Sequence, residues 1–355
     1  MLRSSPLARY LFLAYVLLIV DASLYPFSGW RDQGVAPLAF LAAPFPRYVT
    51  SFDVASNVLS YVPLGFLGVL ALHPLVSGRK ALATAALASF ALSFALEALQ
   101  TYLPSRIASN LDLAANVAGA FLGGLAGVSF AIRLEQGAGL RGLRHRLFAS
   151  GWKADVGLVL LGLWLVSQLN PETLLFGNGD LRTLLAAANG THYPPHLFMR
   201  TEAAVAGLNA AAAGLFASCL VAQVQARRWM ILAVIGMALA LRTLAFGTLF
   251  SPSDMLLWAT PGALIGAAVG SLAAIVLAIV PRRTGLALAG LALMTATVLV
   301  NIAPENPYLA ASLAVWKQGH FLNFNGLTRL VSWVWPFAAL AYLMLFASER
   351  GHARS

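Results

Sequence analysis

The residues of this sequence that could do chemistry cluster between positions 53 and 116. Glu97 precedes Gln100 by three residues. Asp112 precedes Asn116 by four residues. Such spacings place both members of a pair on one face of a helix. Arg106 lies between the pairs, so a carboxylate could act as general base or acid while the guanidinium holds a phosphate or carboxylate.

Two further polar residues, Asp53 and Asn57, begin the apolar segment that precedes these pairs. We predict that Arg106 holds an anion, and that Glu97 and Asp112 carry protons. The amide side chains would orient these groups by hydrogen bonding. The predicted site comprises Asp53, Asn57, Glu97, Gln100, Arg106, Asp112 and Asn116.

Three interpretations of this cluster remain open. It is a polar clasp that fixes helix packing, a catalytic or substrate-binding site, or a path for proton-coupled or cation-coupled transport. We predict no metal and no cofactor, because the sequence has no phosphate-binding loop and no zinc motif. His192 and His196 are four residues apart, but two prolines between them exclude a helix.

The residues around this cluster in the sequence are mostly apolar. Hydrophobic residues make up 59% of the 355 residues and charged residues only 10%, against about 25% charged in an ordinary soluble domain. Long apolar runs recur along the whole chain, which predicts an all-α, polytopic transmembrane bundle. The net charge of +10 does not indicate nucleic-acid binding, because the basic residues lie in short loops between apolar runs.

About ten membrane spans are predicted from the apolar runs. They lie near 8–25, 54–73, 80–102, 111–132, 154–170, 201–224, 229–250, 255–280, 285–302 and 331–347. Fifteen of the 23 Lys and Arg residues lie in one set of loops and ends, seven lie in the other, and Arg242 lies inside a span. By the positive-inside rule the first set and both termini are cytoplasmic, so the predicted site faces outward.

An internal repeat is indicated by glycine spacing. Gly119, Gly123 and Gly127 recur at a constant offset as Gly262, Gly266 and Gly270, and both stripes allow close helix packing. The second block lacks the polar set, so chemistry is expected in the first. Arg242 would snorkel outward or pair with a carboxylate such as Glu97. The predicted domains are a four-helix module (1–133), a basic loop (134–153), a degenerate second module (154–280) and two further helices with a tail (281–355).

The order and spacing of these motifs resemble the VanZ-like family of bacterial membrane proteins. The resemblance covers residues 1–132, about a third of the chain. One departure concerns the loop, where many members carry an additional Asp and this chain has Ser109 and Asn110. The residues that carry the resemblance are Asn57, Pro63, Leu64, Gly65, Glu97, Gln100, Arg106, Asp112, Asn116 and Gly119.

The family is named after a membrane protein associated with resistance to the lipoglycopeptide teicoplanin, so the resemblance implies a role in the cell envelope. We expect a protein of the bacterial cytoplasmic membrane that binds or acts on an amphiphile. That ligand would be a lipid-linked glycan, a phospholipid or a lipoglycopeptide, and the protein could affect glycopeptide susceptibility. No nucleic-acid partner is expected, and the sequence does not indicate an oligomeric state.

Overall fold

The structure is a computed structural model that describes part of the chain, and the regular secondary structure of that part is helical. This part consists of residues 6–44, 50–136, 147–182, 195–303 and 322–347. The helices are α1 (Pro6–Leu24), α2 (Ala39–Ala42), α3 (Ser51–Leu72), α4 (Gly78–Gln100), α5 (Asn110–Gln136), α6 (Trp152–Ser167), α7 (Pro195–Leu220), α8 (Val224–Leu249), α9 (Pro261–Leu277), α10 (Arg282–Ile302) and α11 (Leu322–Ala347). A short 3-10 helix, Pro252–Asp254, lies between α8 and α9.

Each of the ten predicted spans coincides with one of these helices. Eight helices are long and apolar enough to cross a membrane. The other two helices that coincide with predicted spans are shorter: α6 has 16 residues and α9 has 17. The prediction of a polytopic transmembrane helical bundle is confirmed. Helices suit a bilayer because they satisfy every backbone hydrogen bond within the segment.

The contacts divide the chain into two compact units, Met1–Leu143 and Arg144–Ser355. In the first unit α3 and α5 form the main contact, and α1 and α4 pack beside them. In the second unit α7 packs against both α9 and α10, while α11 packs against α6 and α10. The finer module boundaries suggested by the sequence stay predictions.

Glycines allow α3 and α5 to touch backbone to backbone. A Cβ atom added at Gly119 would lie 2.1 Å from the carbonyl oxygen of Val58, and one at Gly123 would lie 1.8 Å from that of Val62. From the other side, a Cβ atom at Gly65 would lie 1.9 Å from the Ala120 carbonyl oxygen. No side chain fits at these positions. Because the contacts advance in the same direction along both chains, the two helices run parallel.

The second unit contains an equivalent crossing of α7 and α9. A Cβ atom at Gly266 would lie 2.3 Å from the Ala203 carbonyl oxygen, and one at Gly270 would lie 2.0 Å from that of Gly207. The predicted glycine stripes thus lie at two parallel helix crossings of the same kind. This geometry is what an internal repeat would produce, and the repeat itself stays a hypothesis.

We predict that Gly123→Ala and Gly270→Ala each lower the melting temperature of the purified protein by several degrees. Overpacking of a tight contact costs about 1–3 kcal/mol, and the neighbours here are backbone atoms that cannot move aside. Gly236→Ala is the matched control, because a Cβ atom at Gly236 in α8 would have no neighbour within 4 Å. Equal melting temperatures for all three variants would contradict the close crossing.

The predicted orientation can be tested by labelling cysteines at opposite ends of α4. Cys219 is buried and can be replaced by alanine, after which Ile107→Cys and Leu75→Cys place single thiols at positions that are 89% and 77% exposed. A membrane-impermeant maleimide added to intact cells should label position 107 but not position 75. Permeabilised cells should be labelled at both. The reverse pattern would place the polar cluster on the cytoplasmic side.

Candidate functional site

The rim of the candidate site is built by two helix starts, each of which is capped by a hydroxyl side chain. At the start of α3 the Asp53 backbone N–H donates to the Thr50 hydroxyl, and the Asp53 carboxylate accepts from the Thr50 N–H. At the start of α5 the Ser109 hydroxyl accepts from the backbone N–H groups of Leu111 and Asp112. Each cap fixes an aspartate in the first turn of its helix, where the helix dipole stabilises a negative charge.

The Asp112 carboxylate faces α3. It lies within hydrogen-bonding reach of the Asn57 side chain and is close enough to Asp53 for the two charges to repel each other. The predicted association of Asp53, Asn57 and Asp112 is therefore present in the structure. It depends on the close crossing of α3 and α5, because that crossing brings the first turns of the two helices side by side.

Glu97 is buried near the C-terminal end of α4 and is 4% exposed. One carboxylate oxygen accepts the backbone N–H of Ser109 at 2.8 Å. Glu97 interacts electrostatically with both Asp112 and Arg106, yet within the described residues it forms no ion pair shorter than 4 Å. A buried carboxylate that lacks an ion-pair partner can exchange a proton more readily than a paired one.

Ser109 joins two parts of the site, a role that the sequence analysis missed. Its backbone N–H holds Glu97 while its hydroxyl caps α5. A capping signature of Ser followed three residues later by an acidic residue, just before an apolar run, could have indicated it. Ser109 lies in the loop where the sequence departs from the family pattern, and its backbone N–H contacts Glu97 there.

A second polar layer lies one helical turn deeper, about 6 Å further into each helix. The Asn116 amide nitrogen donates to the Ser93 hydroxyl at 3.0 Å, and Tyr61 lies within hydrogen-bonding reach of the same serine. All three residues are buried. The Asn116 side-chain oxygen has no donor among the described residues. A buried acceptor of this kind is commonly satisfied by water or by a ligand.

Arg106 and Gln100 both hold the C-terminal end of α1. The Arg106 guanidinium donates through Nε and Nη2 to the Tyr25 carbonyl oxygen, and through Nη2 to that of Ala22 at 2.9 Å. The Gln100 amide donates to the Ser23 carbonyl oxygen at 2.9 Å. These bonds satisfy carbonyl groups that a helix end leaves without partners. The two residues therefore anchor α1 to the site.

The predicted role of Arg106 as anion holder depends on which of its N–H groups do not already donate a hydrogen bond to α1. Among the described residues only its Nη1 group makes no hydrogen bond, so a two-pronged grip on a phosphate is not available while α1 is held. Burial lowers the pKa of the Arg106 guanidinium, and the nearby Glu97 opposes that change. The guanidinium still remains charged near neutral pH.

Asp21 is a buried carboxylate that the sequence analysis did not include in the site. It lies in the last turns of α1 and is 5% exposed. One of its carboxylate oxygens has no hydrogen-bond partner among the described residues. A lone aspartate in an apolar span is itself a signal of function, which could have found it. Arg106 holds the carbonyl group of the next residue, Ala22.

The polar stripe of α4 ends halfway along the helix. Glu97, Ser93 and Ser89 follow one another at intervals of four residues and are all buried. The same face continues with Ala85 and Ala81, which pack against Val69 in an apolar cluster. In the described part of this unit, the polar site is thus closed toward the other end of the helices.

The second unit has a polar centre of its own, at residues that the sequence analysis did not select. Glu202 in α7 is 9% exposed. It lies within hydrogen-bonding reach of the Thr260 side chain and interacts electrostatically with Arg242. The second block thus has a buried acid of its own, although the polar set of the first block does not recur at the matching positions. Glu202 lies on α7, which corresponds to α3 in the hypothetical repeat. The buried acid of the first unit, Glu97, lies on α4, which corresponds to α8.

Arg242 is buried within its own unit. Its guanidinium donates to the carbonyl oxygens of Asn170 and Thr173, which follow α6, and it lies over the ring of Phe246. Snorkelling to solvent does not occur, because the side chain is only 2% exposed. Arg106 and Arg242 have the same task, since each holds the chain that leaves the first helix of its block.

A small cavity of about 40 Å³ lies in the second unit, near the segment that follows α6. Two carboxylates line it. Glu172 pairs with Arg329, and Asp180 pairs with Arg182. The charges of the acids are thereby balanced. The described residues contain no group of three His, Cys, Asp or Glu that could hold a metal ion. His192 lies outside the described residues.

Comparison with known families gives one finding. The VanZ/LLP1 family model matches residues 9–131. The chain therefore contains a VanZ-like domain. The matched segment, about a third of the chain, contains most of α1, all of α2 to α4 and most of α5, and it includes every residue of the predicted site. Comparisons with curated proteins and with solved structures gave no match. The VanZ-like domain thus coincides with the helices that build the rim and the deeper polar layer.

We predict that Arg106→Ala and Gln100→Ala each destabilise the VanZ-like domain. Hydrogen bonds from a charged group contribute about 1.5–3 kcal/mol and neutral ones about 0.5–1.5 kcal/mol. Thermal unfolding of the single and double variants should show less than additive losses, because both residues anchor one helix end. Arg31→Ala is the control, since that side chain is exposed. Unchanged stability of Arg106→Ala would mean that the guanidinium is available for a ligand.

Proposed function

We propose that the VanZ-like domain binds and chemically modifies an amphiphilic molecule of the bacterial cell envelope at the outer face of the cytoplasmic membrane. The ligand class is a lipid-linked glycan, a phospholipid or a lipoglycopeptide. One observation carries this proposal: the buried Glu97 carboxylate accepts a single backbone N–H, has no ion-pair partner among the described residues, and lies near Asp112. This is the arrangement that proton transfer requires.

The two carboxylates have different surroundings, which suits them to different tasks. Glu97 is buried and held by Ser109, whereas Asp112 is half-buried at the rim and lies beside Asn57. Pairs of acids in unlike environments commonly divide the roles of proton donor and proton acceptor. We assign the acid role to Glu97 and the base role to Asp112. Asn57 and Asn116 then orient the reacting groups, and Asp53 holds the start of α3.

An amphiphile fits the position of the site. The rim lies where α3 and α5 begin and α4 ends, which is the level of the headgroups for helices that cross a bilayer. The surrounding helix faces carry exposed apolar side chains such as Leu59 and Leu99, which suit an acyl chain. A polar head could therefore reach Glu97 and Asp112 while its hydrocarbon part stays in the membrane.

A purely structural role is the second candidate, and one observation favours it. Arg106 and Gln100 use most of their donors on the end of α1. On this hypothesis the whole cluster is a helix-packing clasp and no ligand is involved. Coupled transport is favoured less, because the polar stripe of α4 ends at Ser89 and gives way to an apolar cluster.

We predict that Glu97→Gln and Asp112→Asn abolish function without unfolding the protein. In the first variant the amide oxygen of the introduced side chain can still accept the Ser109 N–H, so the contact survives and only proton exchange is lost. The measurement is mass spectrometry of envelope lipids and lipid-linked glycans from a deletion strain. The strain is complemented with wild type, each variant, or the control Asp32→Asn, which alters an exposed carboxylate in the same unit. Teicoplanin susceptibility is recorded in parallel.

An enzyme would produce a species that changes on deletion and is restored by wild type and Asp32→Asn but not by the two site variants. All proteins must show equal membrane abundance and equal melting temperatures. A clasp would give a different pattern. The lipid profile would then be the same in every strain, and alanine variants at Arg106 and Gln100 would lower the melting temperature.

A further inference from the structure

We propose that the groove between the start of α8 and the end of α9 is a binding site for an anionic phospholipid. The groove has a volume of about 580 Å³ and lies entirely within the second unit. It is distant in sequence from the VanZ-like domain and has no part in the function proposed above.

One face of each helix builds this groove. Arg228 and Trp229 are adjacent on α8, and Leu232 lies one turn further along the helix, four and three residues after them. Ile275 lies in the last turn of α9, and Ile279 lies two residues beyond the end of that helix. The groove therefore changes character along its length, from a guanidinium and an indole at the rim to aliphatic side chains one turn further in. A phospholipid has the same order of groups, with a phosphate followed by hydrocarbon.

The two neighbouring arginines at this rim have different partners. Arg227 donates through Nη1 to the carbonyl oxygens of Ala278 and Val280, both at 3.2 Å, and so caps the end of α9. Arg228 is exposed and has no hydrogen-bond or ion-pair partner in the part of the chain that the structure describes. Its guanidinium is free to bind a phosphate, and guanidinium groups match phosphate geometry well.

The charge and exposure of the groove favour an anionic lipid. No carboxylate is among the residues that line it, so its charge is purely positive. Trp229 is 73% exposed and Ile279 is 66% exposed. An exposed tryptophan beside an arginine is typical of the membrane interface. Basic grooves between membrane helices bind the headgroups of anionic lipids. The positive-inside pattern predicts that this rim lies in the cytoplasmic leaflet.

The test is native mass spectrometry of the full-length protein titrated with dioleoylphosphatidylglycerol or dioleoylphosphatidylcholine. Wild type should bind phosphatidylglycerol more tightly than phosphatidylcholine. Arg228→Ala should weaken phosphatidylglycerol binding about fivefold and leave phosphatidylcholine binding unchanged. Arg228→Lys should retain the preference, which excludes misfolding as the cause. Ile279→Ser should weaken binding of both lipids, because it removes an acyl contact.

Arg283→Ala is the matched control, because Arg283 is an exposed arginine near the start of α10 that does not line the groove. It should change lipid binding less than about twofold. Equal losses for Arg228→Ala and Arg283→Ala would overturn the proposal, since the attraction would then be general. Competition by millimolar inorganic phosphate together with no effect of Ile279→Ser would also overturn it, since the occupant would then be a free anion.

Discussion

The close approach of α3 and α5 is the constraint on which the VanZ-like domain depends. Because Gly65, Gly119 and Gly123 have no side chains, the backbones of the two helices touch along several turns. Asp112 therefore lies beside Asn57, and Asn116 reaches the second polar layer. A larger residue at these positions would separate the helices and open the polar cluster. The glycine stripe thus sets the dimensions of the site as well as the stability of the bundle.

Polar groups in the domain are divided between two tasks. Arg106 and Gln100 satisfy carbonyl groups at the end of α1, which is a structural task. Glu97 and Asp112 have few partners, and proton exchange is the task that we propose for them. In a bilayer an unsatisfied polar group costs several kcal/mol, so the buried side-chain oxygens of Asp21 and Asn116 that have no partner among the described residues require a reason. Water or a ligand at the site would provide one.

The sequence was sufficient to predict the helices and the proximity of Asp53, Asn57 and Asp112, but several hydrogen-bond partners could not be predicted from it. Apolar runs identify spans because a bilayer requires both length and hydrophobicity. Spacing identified the Asp112–Asn116 face because helical periodicity is local. The bond from Arg106 to Ala22 joins residues 84 positions apart, and no local pattern contains it. Glu202 was not predicted as a counterpart of Glu97, because it lies on α7, whereas a copy of Glu97 at the repeat offset would lie on α8.

Comparison of the two units separates the shared scaffold from the variable chemistry. Both units have a glycine-mediated crossing of parallel helices, and both have an arginine that holds the chain leaving the first helix. These shared features are the ones that packing requires. The acids occupy different helices: Glu97 lies on α4 and accepts the backbone N–H of Ser109, whereas Glu202 lies on α7 beside the Thr260 side chain. Each has an arginine of its own unit nearby, Arg106 for Glu97 and Arg242 for Glu202. The two units therefore share a way of packing their helices, while the positions of their buried acids differ, and the chemistry that we propose concerns the acids of the VanZ-like domain.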